Sequence, residues 1–205
     1  MVYERNRQTE LIIDLNAMQH NYYEIQKIVP DKKLLPVLKA SGYGIGAKNV
    51  KKFIDKMQLD MIATALVDEA VVLRAGLEYT GDVVVLNQPA EEDIQNIVQY
   101  NITTGTCYIE FIEELNKQAK QQNKTAKIHI EIETGMGRTG VQMKNLQEFI
   151  TKLKTLKNIQ VEGIYSHFAT SDTDIEFAQQ QIKIFEQAVE KITRTNSWNS
   201  ICAHW

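Results

Sequence analysis

Short apolar runs rich in β-branched residues alternate with longer stretches of helical periodicity along this chain, about once every 20–30 residues. The strand candidates are Leu11–Asp14, Leu34–Leu38, Met61–Ala65, Val83–Leu86, Ile102–Gly105, Lys127–Glu133, Val161–Ser166 and Ile201–His204. The stretches between them, which place apolar residues at i, i+3 and i+4, are Leu15–Ile28, Ala47–Met57, Asp68–Ala75, Glu91–Tyr100, Ile109–Gln121, Asn145–Leu156 and Thr173–Thr193. Regular alternation of this kind predicts parallel strands joined by crossover helices.

The make-up of the strand runs favours a barrel over an open sheet. The run VVVL at 83–86 and the run IHIEI at 128–132 contain no turn residue and are mostly β-branched. Such runs suit strands that helices cover on one face and that pack into a barrel core on the other. We therefore predict an α/β fold of the (β/α)8 TIM-barrel type. The last run follows the turn-rich TNSWNS at 195–200 and covers only the start of a strand. We therefore expect the barrel to be incomplete.

The size and charge of the chain restrict what it can bind. A length of 205 residues suits one domain, and a net charge of −3 provides no general attraction to nucleic acid or to an anionic membrane. No apolar run approaches the roughly 18 residues of a spanning helix, and the N-terminus is polar, so we expect a cytoplasmic protein. Cys107 and Cys202 are too few for a disulfide scaffold and are expected to be buried thiols.

Active sites of such barrels lie at the C-terminal ends of the strands, and the first strand end of interest carries Lys39. This lysine leaves an apolar run and enters the loop ASGYGIG, which contains three glycines and Tyr43. A lysine with its stem against apolar walls can have a depressed pKa and act as a Schiff-base nucleophile. An exposed lysine beside a strand is the alternative.

The second strand end carries Arg138 on the glycine-rich turn TGMGRTG, after Glu131 and Glu133. The two glutamates alternate along a strand and should face the same side. From such a turn the arginine can reach back over the strand end and present its guanidinium to a phenolate or a carboxylate. The alternative is a surface arginine paired with Glu133.

The third strand end carries His167, just before a helix whose N-cap we expect at Ser171 or Asp172. Its spacing to other histidines and acids matches no metal motif, so we expect no metal there. A structural histidine is the alternative to a functional one. The remaining histidines belong to no constellation in the sequence and are assigned surface or packing roles; they are His20, His129 and His204.

These three segments, in this order, resemble the alanine racemase family, the fold-type III enzymes that use pyridoxal 5'-phosphate. The resemblance runs through LIIDLNAMQHNY, VLKASGYGIG, ATALVDEAVVLRAG, EIETGMGRTG and GIYSHFATSD. It implies that Lys39 forms the covalent link to the cofactor and that Tyr43 bonds the cofactor phosphate. It further implies that Arg138 bonds the cofactor phenolic oxygen and helps to hold the substrate carboxylate. The residue matching His167 supports an arginine that contacts the cofactor ring.

Two residues depart from the family pattern inside these motifs. Ile45 stands where many relatives have histidine, a change that we expect to be tolerated. Glu131 stands where many relatives have a lysine that becomes carbamylated and pairs with the arginine. Because a carbamate is an anion, a glutamate can supply the same negative charge directly. We therefore expect Glu131 to support Arg138.

The resemblance also predicts which parts of a racemase this chain lacks. The family continues beyond the strand that matches Ile201–His204 with a phosphate-binding serine, a further barrel strand and a β-domain that supplies a tyrosine base across a homodimer interface. By the same comparison Leu11–Asp14 belongs to the sheet of that second domain, which leaves residues 1–205 as a cofactor-binding barrel of about seven strands. We expect a homodimer for the full-length enzyme.

Three functions fit this resemblance. The first is a pyridoxal-phosphate-dependent alanine racemase that supplies D-alanine for peptidoglycan, of which these residues hold the cofactor lysine but not the second base. The second is a non-catalytic pyridoxal phosphate carrier of the same barrel class, whose family does not share the LKASGYGIG and TGMGR motifs. The third is a serine-preferring racemase, which the sequence does not separate from the first.

Overall fold

A computed structural model describes residues 9–194 and 201–204. Its centre is a sheet of six parallel strands in sequential order, β1 to β6, which curls into part of a barrel. The strands are β1 (Met61–Thr64), β2 (Asp82–Val85), β3 (Thr103–Thr106), β4 (Ala126–Glu131), β5 (Ile159–Tyr165) and β6 (Cys202–His204). This arrangement confirms the predicted fold class, an incomplete (β/α) barrel.

Helices cover the outer face of the sheet; three of them precede β1, and the others connect successive strands. They are α1 (Leu15–Ile28), α2 (Lys39–Tyr43), α3 (Ala47–Met57), α4 (Val67–Val71), α5 (Ile94–Gln99), α6 (Ile109–Gln121), α7 (Leu146–Leu153) and α8 (Ile175–Thr193). A π-helical turn at Val72–Gly76 extends α4, and a 3-10 turn at Glu91–Asp93 precedes α5. The apolar stripes of α3, α6, α7 and α8 contribute to the core, because each of these helices buries side chains at i, i+3 and i+4 positions.

The core lies between the sheet and these helices and centres on β-branched strand residues. Ile62, Val83, Ile128 and Ile164 are completely buried, each with 0% exposure. Isoleucine and valine fit a sheet surface that is covered by helices, because their branched side chains pack well on a pleated surface. The strands that hold the candidate site are therefore anchored in a dry, close-packed layer.

Two of the predicted strands do not form among the described residues. Leu11–Asp14 has no regular structure, and Asp14 instead caps α1 by accepting hydrogen bonds from the backbone N–H groups of Asn16 (2.8 Å) and Ala17 (3.1 Å). Leu34–Leu38 contributes one isolated bridge between Val37 and Ala63. An apolar run predicts burial, but a strand also needs a partner with free backbone groups along its length.

Two smaller expectations were also wrong. Helix α8 begins after Asp174, whose carboxylate accepts from the N–H of Phe177 at 3.0 Å, and not after Ser171 or Asp172. The expectation of two buried thiols fails as well, since Cys107 is half-buried and Cys202 is exposed. Within the described residues, no helix is long and apolar enough to cross a membrane.

Candidate functional site

Lys39 lies directly beyond the bridge that joins Val37 to Ala63, at the C-terminal side of the sheet. The N–H of Leu38 donates to the carbonyl oxygen of Ala63 at 2.7 Å, which fixes where the chain leaves the sheet. The turn α2 that follows is left-handed: φ is +51° at Ala40, +53° at Ser41 and +68° at Gly42. Left-handed residues other than glycine cost about 1–2 kcal/mol each, so neighbouring groups must stabilise this turn.

Glu69 holds the turn in place. Its Oε1 accepts a short hydrogen bond from the backbone N–H of Ala40, directly after Lys39. Its Oε2 accepts from the N–H groups of Ala65 (2.9 Å) and Leu66 (3.1 Å), which precede α4. One carboxylate therefore joins the loop after β1 to the turn that carries Lys39. The sequence analysis did not single out this residue, although an acid in the first turn of a helix is the usual signal for such a cap.

The left-handed turn leaves Lys39 and Tyr43 accessible. Both side chains are exposed, and Tyr43 retains 67% of its surface. Gly42, in contrast, is buried, and a Cβ there would lie 2.5 Å from Cγ2 of Val50. A cavity of about 170 Å³ lies beside the turn, lined by Ser41, Glu69 and seven neighbours. Among the hydrogen bonds and ion pairs of the described residues, none joins Tyr43 to the other candidate site residues.

Arg138 lies on a closed loop that follows β4. The N–H of Val141 donates to the carbonyl oxygen of Glu131 at 2.8 Å, and the N–H of Glu133 donates to that of Val141 at 3.2 Å. The loop between these pairs turns back over the strand end, as the glycine pattern predicts. Gly140 must be glycine here, because a Cβ would lie 2.4 Å from the backbone nitrogen of Glu133, at a φ of +123°.

Glu133 stabilises this loop and does not pair with the arginine. Its carboxylate accepts hydrogen bonds from the backbone N–H groups of Gly135 and Gly137, the latter at 2.8 Å. No ion pair between described residues involves Arg138, whose side chain is exposed. The alternative of a surface pair between Arg138 and Glu133 is therefore not observed, and the guanidinium is available for a ligand.

Glu131 is a buried carboxylate at the end of β4, only 4% exposed. It accepts a hydrogen bond from Oγ1 of Thr139 at 2.8 Å. Burial raises its pKa, while the bond from Thr139 and the positive charge of Arg138 act in the opposite direction. Glu131 thus contacts the residue next to Arg138 and influences Arg138 through space, without a direct ion pair.

His167 lies in the loop after β5, and a buried glutamine ties this loop to the loop that carries Arg138. Gln181 on α8 donates from Nε2 to the carbonyl oxygen of His167 (3.0 Å) and to Oγ1 of Thr134 (3.0 Å). Its Oε1 accepts from the N–H of Ala169 at 3.0 Å. Thr134 also pairs with Oγ of Ser166 at 2.7 Å. Nothing in the local sequence signalled Gln181, since α8 reads as an ordinary amphipathic helix.

Lys39 follows the bridge at Val37, Arg138 follows β4 and His167 follows β5, so all three lie on the C-terminal side of the sheet, at the same mouth of the partial barrel. Partial burial lowers the pKa of His167, and the positive charges of Arg138 and Lys39 lower it further. A larger groove of about 680 Å³ opens beside Arg138, between the loops after β3 and β4, and includes Cys107 and Thr139. The arrangement is suited to a small ligand with more than one negative group.

The chain is similar to known proteins over most of its length. Residues 13–204 match the family model described as alanine racemase, N-terminal domain. The chain is 38% identical to the alanine racemase of Geobacter sp. over 92% of its own length and 52% of the relative's. It is 34% identical to alanine racemase 2 of Caldanaerobacter subterraneus subsp. tengcongensis, over 94% of its own length and 50% of the relative's.

A solved structure shares the fold over the same region. The alanine racemase of Clostridium difficile 630 in complex with cycloserine superposes with a TM-score of 0.86 at 28% identity, over 93% of this chain and 53% of that one. The chain therefore spans about half the length of the relatives that it matches. Since the family model covers nearly all of its residues, the chain belongs to the family of the alanine racemase N-terminal domain.

Proposed function

We propose that this chain is the pyridoxal 5'-phosphate-binding barrel of an amino-acid racemase that interconverts L-alanine and D-alanine. The observation that supports this most directly is that Lys39, Arg138 and His167 all follow the C-terminal side of the sheet, at the same mouth of the partial barrel. The family match and the two alanine racemase relatives agree with it.

The donors at the barrel mouth suit this cofactor. Pyridoxal phosphate carries an anionic phosphate, a phenolic oxygen and an aldehyde. When bound, it stabilises a substrate carbanion. Lys39 would provide the amine that reacts with the aldehyde, and Arg138 would bond the phenolic oxygen and the substrate carboxylate. Tyr43 would bond the phosphate, while His167 would contribute to the wall around the ring. Two exposed cations and a phenol match the charge of these groups.

Each residue then has a part in moving one proton. Nζ of Lys39 would remove the α-proton of alanine on one face of the bound substrate. Arg138 would hold the carboxylate so that this proton points at the amine. Glu131 would supply a negative charge near Arg138. The 2.8 Å hydrogen bond that it accepts from Thr139 holds it beside the residue next to that arginine. Glu69 would hold the left-handed turn that carries the lysine.

The cellular setting follows from the same proposal. An enzyme that makes D-alanine for peptidoglycan precursors would act in the cytoplasm. In the full-length protein we expect a homodimer in which the partner supplies the base on the opposite face.

Reaction of the protein with the cofactor alone tests the assignment of Lys39. Added pyridoxal phosphate is expected to give a visible absorbance band, and borohydride should then trap one adduct that peptide mass spectrometry places on Lys39. Lys39→Ala is expected to lose both the band and the adduct. Lys48→Ala is the matched control, because Lys48 is an exposed lysine on the neighbouring helix α3, and it should retain both. An adduct distributed over surface lysines and unchanged in Lys39→Ala would refute the proposal.

A further inference from the structure

Two histidines and one cysteine from opposite sides of β5 meet on one face of the sheet. His129 on β4 is 1% exposed, and its Nδ1 lies 2.8 Å from Nε2 of His204 on β6. The Sγ atom of Cys202 joins them, and one ligand atom from each of the three residues lies within 4.8 Å of the others. The sequence analysis assigned no joint role to these residues, because 75 positions separate the two histidines.

The register of the parallel strands explains how they meet. His129 on β4, Gly163 on β5 and Cys202 on β6 are aligned partners, so they form one row across the sheet. Gly163 has no side chain to fill the middle of that row, and a Cβ there would lie 2.7 Å from three ring atoms of His129. Side chains from β4 and β6 can therefore approach each other over β5. In the next row His204 stacks on Tyr165, with ring centroids 5.3 Å apart.

We propose that His129, Cys202 and His204 bind a Zn²⁺ ion, with water as the fourth ligand. Two imidazole nitrogens and one thiolate are a ligand set that zinc accepts in tetrahedral geometry. Bond lengths of about 2.0–2.3 Å place the ligand atoms of such an ion about 3.3–3.7 Å apart. The two nitrogens must then separate by about 0.5 Å and the thiol must move closer, which small side-chain rotations on two strands can supply.

The protonation states and the surrounding charges suit a cation. A neutral imidazole keeps one ring-nitrogen lone pair that can bind a cation, and both His129 and His204 present a ring nitrogen to the other at 2.8 Å. Lys127, two residues before His129 on β4, forms an ion pair with Glu162 at 2.8 Å, and its Nζ lies 3.8 Å from Asp82. With Cys202 deprotonated by the metal, this region carries an excess of negative charge.

The ion would join the last described strand to the centre of the sheet. Strand β6 pairs with β5 through three residues only, ending at Tyr165 and His204. A metal bound by His129 and by both Cys202 and His204 would connect β6 to β4 across Gly163. Zinc is therefore expected to raise the thermal midpoint of unfolding by several degrees, because it binds the folded arrangement and not the separated strands.

Metal binding by the 205-residue chain, without pyridoxal phosphate, tests the proposal independently of the proposed function. After equilibration with Zn²⁺ under reducing conditions and removal of free metal, elemental analysis is expected to give about one zinc per chain. Replacement of Zn²⁺ by Co²⁺ should produce the near-ultraviolet thiolate charge-transfer band and the visible bands of a tetrahedral site.

Matched variants identify the ligands. Loss of a second-shell partner already weakens metal sites about 10–100-fold, so Cys202→Ser and His204→Gln should weaken binding by more than about 100-fold. Cys202→Ser should also abolish the thiolate band. Cys107→Ser, which replaces the other cysteine, and His20→Gln, which alters an exposed histidine on α1, should bind metal as the unmodified chain does.

Three outcomes would overturn the proposal. They are a chain that retains no metal, a thiolate band that survives in Cys202→Ser, and equal losses in His204→Gln and His20→Gln. If His204→Gln fails to fold by circular dichroism, Cys202→Ser decides the question, since Cys202 is exposed and does not hold the core.

Discussion

Nε2 of Gln181 donates a hydrogen bond to the carbonyl oxygen of His167 at 3.0 Å, although the glutamine lies on α8 and is completely buried. The same side chain contacts Thr134, in the loop that leads to Arg138. One amide therefore sets the spacing between two of the three loops at the barrel mouth. Buried polar networks of this kind favour a single arrangement, because any other leaves their groups unpaired.

Replacement of Gln181 by leucine is expected to lower the free energy of unfolding by about 2–3 kcal/mol, because it leaves the carbonyl of His167 and the N–H of Ala169 without their partner. Urea denaturation measures this difference. Gln180→Leu is the control, since Gln180 is exposed on the same helix and its change should stay within about 0.5 kcal/mol. Equal losses of unfolding free energy in the two variants would mean that the Gln181 hydrogen bonds add nothing to stability.

Glu69→Ala is expected to destabilise the protein by about 2 kcal/mol, since three backbone N–H groups lose a charged acceptor. It should also reduce borohydride-trapped cofactor at Lys39, because the left-handed turn is then free to relax. Asp68→Ala removes the adjacent acid, which is exposed, and should cost less than about 1 kcal/mol. Unchanged trapping in Glu69→Ala would show that the turn holds its shape without the carboxylate.

The raised pKa of Glu131 predicts a pH-dependent effect of Glu131→Gln. A carboxyl whose pKa rises on folding stabilises the folded state at pH values below its unfolded pKa, near 4.5, and this contribution is lost as pH rises through the folded pKa. Glutamine cannot ionise, so the variant should gain stability relative to the unmodified chain between pH 4 and pH 7.

Urea midpoints at the two pH values measure that gain. Glu92→Gln is the control: Glu92 is exposed, so this variant shows how much the same substitution changes the urea midpoint at a surface position. A difference for Glu131→Gln that is the same at pH 4 and pH 7 would contradict the assignment of a buried, proton-binding carboxyl.

The 205 residues alone are expected to form no D-alanine from L-alanine. Racemisation needs a proton removed on one face and returned on the other, and Lys39 is the one base proposed among the described residues. Among the described residues, β6 and β1 are the two edge strands, and the outer edge of β1 pairs through the bridge at Val37 alone. Unpaired edges should also cause association that light scattering detects. Racemase activity that Lys39→Ala abolishes, in a clean monomer, would show that another residue supplies the second proton.

The sequence by itself determined the order of elements and the strand ends at which the candidate site residues lie. Helices α1, α3 and α6 begin and end where the apolar periodicity places them, at Leu15–Ile28, Ala47–Met57 and Ile109–Gln121. These are local properties, because the period of apolar residues is the helix's own period. The glycines around Arg138 likewise signalled the turn that forms there.

Only the tertiary structure decided which distant groups meet. The run Leu34–Leu38 is apolar enough for a strand, yet it forms a single bridge, since pairing depends on a neighbour that no local pattern describes. Glu69 and Gln181 look like ordinary helix residues until their loops are folded against them. His129 and His204 met through the register of β4, β5 and β6, and through the missing side chain of Gly163 between them. Strand register is a long-range property, which is why the sequence alone did not bring these two rings together.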